Sequence, residues 1–206
     1  GFASVKFSSN QPVSMTRTNS GRVITRAIVG HHWKIDISYN PMTRAEFEPI
    51  ASFLEERRGR LKPFFVVLPQ HASPQTASSG TISTTGTIAS GDSNFLVSGT
   101  SASGMNLTRG DMITINDSSN SNHLKAYKIV RVHTSTNRLS SDSDLDQATE
   151  RRYYVVPPFE KDITSGSTVV YTNPLIRVIN TKDVFEYSLG TNNLYQFSLS
   201  LEEAQP

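Results

Sequence analysis

In HWKIDISY, residues 32–39, Trp33, Ile35, Ile37 and Tyr39 alternate with Lys34, Asp36 and Ser38. A period of two predicts a strand with one apolar and one polar face. The pattern returns near the end of the chain, where Tyr195, Phe197, Leu199 and Leu201 alternate with Gln196, Ser198 and Ser200. FASVKF (2–7), RVITRAIVG (22–30), LIRVIN and VFEYSLG read as further strands. KPFFVVLP is a continuous apolar run, expected as a strand buried on both faces.

One stretch breaks this period. In YNPMTRAEFEPIASFLEERRGR, residues 39–60, Phe47, Ile50, Ala51 and Leu54 fall at i, i+3, i+4 and i+7, which predicts a helix over about 43–58 with one apolar stripe. Thr43 and Glu46 have the spacing of a capping box, and Met42 with Phe47 that of a hydrophobic staple. Arg57 and Arg58 suit the negative end of the helix dipole, and Gly59 offers a left-handed cap. Pro49 should tilt or kink the helix. The expected role is a brace: Phe47, Ile50 and Leu54 cover one side of the sheet, with Thr43 and Glu46 fixing the start.

Composition changes after residue 71. From Ala72 to about Gly104 the chain is mostly Ser, Thr, Gly and Ala, which is either a linker or a set of thin strands joined by turns, with islands at 87–89 and 95–97. LTRGDMITIN, LKAYKIVRVH, RRYYVVPPF and STVVYTN then read as strands of one small β-barrel or sandwich. The simplest organisation joins residues 1–71 and 173–206 into one mainly β domain with a single helix, interrupted by an inserted β module over 72–172.

The formal net charge is +2 and the chain has no Cys. This excludes disulfides and thiolate chemistry and fits a reducing compartment. Nothing marks a nucleic-acid footprint, since the Arg57, Arg58, Arg60 and Lys62 cluster has its reason at the helix end. No run approaches the roughly 18 apolar residues of a membrane span, so a soluble protein without membrane insertion is expected.

Chemistry is scarce. His31 and His32 are adjacent on a strand and face opposite ways, which is poor ligand geometry. His71 and His123 have no nucleophile or carboxylate at a motif spacing. Asp142, Asp144 and Asp146 occupy positions 1, 3 and 5 of an EF-hand-like loop, but Gln147 replaces the turn glycine and Tyr153 the terminal Glu. The RGD at 109–111 reads as a tight bend before a strand. No catalytic set, metal site or cofactor is expected. Flat rings in the middle segment (Phe95, Tyr127, Tyr153, Tyr154, Phe159) could stack on a host-surface glycan, with Tyr153 and Tyr154 the candidate contacts.

The order of alternating strand, capped helix, apolar strand ending in Pro, and aromatic-alternating last strand resembles tailed-phage distal tail proteins and the lambda-type minor tail proteins of the tail tip. The likeness lies in GRVITRAIVGHHWKIDISYNPMTRAEFEPIASFLEERRGRLKPFFVVLP and in the closing LIRVINTKDVFEYSLGTNNLYQFSLSLEEA. The resemblance implies a β-sandwich or split-barrel domain with one helix that forms a hexameric ring between the tail tube and the central hub, with the inserted module projecting outward. It also implies a structural, non-enzymatic virion protein of the tail tip, made in the host cytoplasm. Its partners would be its own copies, the tube protein, the hub and other tail-tip proteins.

Overall fold

A computed structural model describes residues 2–28, 30–98, 106–117, 119–121, 123, 125–137, 139–140, 145 and 149–204. The chain is mainly β with one α-helix and divides into two compact units, residues 1–65 with 177–204 and residues 66–176.

In the first unit, β1 (Phe2–Asn10), β4 (His32–Tyr39), β14 (Tyr195–Glu203), β12 (Ile176–Asn180) and β5 (Phe64–Val66) lie side by side in that order. Cross-strand rows alternate as the sequence does. Val5–Ile37–Leu199 and Phe7–Ile35–Leu201 share one face, while Lys6–Asp36–Ser200 and Ser8–Lys34–Glu202 share the other. Trp33, Ile35 and Ile37 are buried, as are Phe197, Leu199 and Leu201. β13 (Tyr187–Leu189) pairs with the first half of β14, and β12 with its second half.

Helix α1 (Arg44–Arg57) packs on the apolar face. Phe47 stacks on Tyr195, with centroids 4.6 Å apart, and meets Phe197 edge-on at 5.6 Å. Glu46 closes the capping box: its Oε2 accepts from the Thr43 N–H (3.0 Å) and the Thr43 hydroxyl (2.9 Å), and the Thr43 carbonyl accepts from the N–H of Phe47. Those contacts hold the Glu46 carboxyl below the usual carboxylate range. Phe47, Ala51 and Leu54 are buried, whereas Ile50 is only half-buried and lies at the margin of the stripe. The helix runs through Pro49, whose missing N–H removes the bond to the Ala45 carbonyl on an exposed face of the helix.

The expected glycine cap is shared. Arg58 is itself left-handed (φ 53°) and its N–H bonds the Glu55 carbonyl; Gly59 continues the turn at φ 61°. A Cβ on Gly59 would lie 2.9 Å from the Asp183 Cα. Gly59→Ala therefore combines left-handed strain with a backbone clash and is expected to cost about 1–3 kcal/mol, read as a shift in the urea midpoint. An unchanged midpoint would contradict the close approach. Beside it, Arg60 donates to the Thr181 carbonyl and faces Asp183, and Arg57 lies over the Phe53 ring at 4.7 Å. The basic cluster thus serves to fasten the helix end.

KPFFVVLP forms a shorter strand than its apolar run suggests. β5 has three residues, and Phe65, opposite the buried Phe64, is 47% exposed.

The second unit is a six-stranded sheet ordered β6 (Ile82–Ser83), β11 (Thr168–Val170), β8 (Met112–Asn116), β9 (Ala126–Thr134), β10 (Arg151–Val156) and β7 (Asn94–Val97). Just past β6, Thr85 bridges Leu96 of β7 through a 2.7 Å N–H to O bond, so the outer strands meet and the sheet closes as a small barrel. Ile82, Phe95, Ile113, Tyr127, Tyr153 and Phe159 fill it. The described part of the Ser/Thr-rich stretch thus supplies two thin barrel strands, its small residues fitting the turns.

Candidate functional site

The residues singled out for chemistry are taken up by structure. Tyr153 is fully buried, its ring 5.3 Å from Phe95, so it cannot meet a sugar; burial drives its hydroxyl pKa far up. Tyr154 points the other way, as strand neighbours must. Arg131 lies over its ring at 3.9 Å and His133 stands edge-on at 4.9 Å. The pair forms no stacking platform, and Phe95, Tyr127 and Phe159 are core residues.

The histidines also separate. His31 Nε2 bonds Ser9 Oγ at 2.9 Å, while His32 Nε2 reaches Asn10 at 2.8 Å and Glu202 at 3.2 Å. In the RGD bend, Gly110 has φ 100°, and the buried Asp111 carboxylate accepts the N–H groups of Thr108 (2.8 Å) and Gln75 (3.0 Å). That Asp is committed to the fold. Asp142, Asp144 and Asp146 lie outside the described residues. Among those described, no group of three or more His, Asp or Glu could hold a metal ion.

The polar interior of the barrel is built around His123. Its Nε2 lies 2.9 Å from the buried Tyr127 hydroxyl, and the two rings stack. Burial lowers its pKa, the Asp117 charge opposes this, and Lys161 adds to the lowering. The folded value is thus below the unfolded one, about 6.5. Stability from this site is complete above about pH 6.5 and is lost as the pH falls below it towards the folded value. The calorimetric transition of this unit is expected to move down between about pH 7.5 and 5.5, and less so in His123→Gln. Equal shifts in both proteins would remove the assignment.

Two exposed apolar surfaces lie on the first unit. β2 (Val13–Arg17) and β3 (Val23–Ala27) form a two-stranded hairpin in which every residue is exposed. Val13, Met15, Val23 and Ile24 are 44–67% exposed. Sequence reading found one arm, within RVITRAIVG, and missed VSMTR because it has no buried face to impose an alternation. Such a ribbon is marginal alone in water. Elsewhere on this unit, β13 presents Tyr187 and Leu189, each 55% exposed, beside the aromatic group around Phe47. Its outer edge pairs with nothing among the described residues. The hairpin and β13 are thus two exposed apolar surfaces of the first unit.

A family model described as "Distal tail protein pb9, A domain, N-terminal" matches residues 1–71. No curated protein matches the chain. The match covers β1 to β5, with the exposed hairpin and the braced helix among them. Over residues 1–71 the chain is thus similar to the N-terminal part of the A domain of a distal tail protein.

Proposed function

We propose that this protein builds a closed ring at the tip of the tail, six copies around, that joins the tail tube to the central hub. The observation that carries this reading is the β2–β3 hairpin, ordered yet exposed on both faces, within the segment that matches distal tail proteins. A ribbon with this much apolar surface gains stability only when another chain covers it. Its partners on this reading are its own copies, the tube protein, the hub and other tail-tip proteins. Synthesis in the host cytoplasm fits a chain without Cys. No reaction is assigned to it.

Mass photometry of the purified chain, followed by negative-stain images with purified tail tubes, tests the reading. Particles of six subunits that cap tube ends are the expected result. A chain that stays monomeric at every concentration and never joins tubes would overturn it.

A further inference from the structure

Strand β12 sends Ile176, Val178 and Asn180 inward, at 2%, 0% and 8% exposure. An amide thus occupies the third inward place of a strand whose alternation asks for an apolar side chain there. Its Oδ1 accepts the Lys182 N–H at 3.0 Å, which fixes the orientation of the amide. Its Nδ2 donates to no group among the described residues. A buried amide in that state has lost the hydrogen bonds it made in water, so the NH2 group calls for an acceptor that these residues do not supply.

Asn180 opens onto a recess of about 390 Å³ at the C-terminal end of α1, which it lines with Leu54, Glu55, Arg58, Lys182 and Phe185. That volume is of the size that holds a small organic molecule. The walls are fixed: Arg60 donates to the Thr181 carbonyl at 2.8 Å, Gly59 lies against the Asp183 backbone, and Phe185 stacks beside Phe47 at 6.1 Å. Charge inside the recess does not cancel. Asp183 is answered by Arg60 at 3.6 Å, whereas Arg58, Lys182 and Glu55 have no ion-pair partner among the described residues, so two cations face one carboxylate.

Arg58 also stands where the backbone does not favour it. Its conformation is left-handed, φ 53° and ψ 53°, the one that a helix end usually gives to glycine. An arginine near a helix end ordinarily bonds the last carbonyls. The Arg58 guanidinium makes no such bond among the described residues.

We infer that this recess binds a small organic oxyanion, a carboxylate or a phosphate ester. The Asn180 NH2 group and the Arg58 and Lys182 cations supply donors for its oxygens, and donors that carry charge make the stronger bonds. Glu55 accepts a hydroxyl or an amine on the stem of the ligand, and Leu54 and Phe185 cover the apolar part of the stem. The negative end of the helix dipole opposes an anion, but two full cations outweigh its partial charge of about one half. One copy makes the whole site, so it stands or falls apart from the ring reading.

Calorimetric titration of the full chain with sodium phosphate and, separately, sodium acetate at constant ionic strength tests the inference. One saturable site per chain with a Kd of about 10 mM or tighter is expected for at least one of the two, and which of them binds tells phosphate from carboxylate. Asn180→Asp keeps the acceptor for the Lys182 N–H and replaces the amide donors with negative charge, so binding should weaken at least about tenfold. Arg58→Gly puts at the cap the residue its backbone favours. It should melt at the wild-type temperature or higher and still bind at least about fivefold more weakly, a split that a merely structural arginine would not give. No saturable heat from either anion would overturn the inference. Unchanged affinity in Arg58→Gly would overturn it as well, whether or not Asn180→Asp folds.

Discussion

Phe47→Ala should lower the stability of the first unit by about 3–5 kcal/mol, the range for truncating a buried aromatic residue. Phe47 is 2% exposed and its ring touches Tyr195, Tyr187, Phe197 and Phe185, so one truncation opens a void between α1 and three strand or loop segments. One of those partners, Tyr187, lies on β13, so the effect should reach that exposed strand. Chemical denaturation of wild type and variant measures it. A loss below about 1 kcal/mol would mean that the helix does not brace the sheet.

The second large effect is expected in the barrel. Lys125 is 2% exposed, and its ammonium lies 3.2 Å from the Glu160 carboxylate. Glu160→Ala removes the carboxylate 3.2 Å from that buried ammonium and should cost about 3 kcal/mol, the lower end for a broken buried pair because Glu160 keeps some contact with water. Replacing both, as Lys125→Met with Glu160→Leu, removes the charge together with its counter-charge and should lie within about 1 kcal/mol of wild type. Comparing the melting of this unit in the two variants decides it. If the double variant were as unstable as the single one, the pair would be doing more than cancelling its own desolvation.

Much of the first unit could be read from the chain because its signals are local. The capping box at Thr43 and Glu46 and the stripe through Phe47, Ala51 and Leu54 lie within four turns of helix, and the alternations at 33–39 and 195–201 record one buried face each. The rows Val5–Ile37–Leu199 and Phe7–Ile35–Leu201 were beyond reach, since pairing partners some 160 residues apart leave no trace in either segment alone. The hairpin's first arm was invisible for the opposite reason: a strand exposed on both faces obeys no burial pattern. Tyr153 and Tyr154 misled because an aromatic pair looks the same whether it fills a barrel or meets a ligand; the pleat, which sends one ring in and the other out, settles it.

The place of β14 between β4 and β12 has a consequence for the making of the molecule. Its residues leave the ribosome about 155 residues after those of β4, roughly 8 to 30 s later at ordinary elongation rates. Throughout that interval Trp33, Ile35 and Ile37 lack the strand that covers one flank of β4, while the barrel, encoded in one unbroken stretch, can already close. Completion thus runs from the middle of the chain outward, and any premature stop within residues 66–176 leaves the first unit without β14, the strand that pairs with β4.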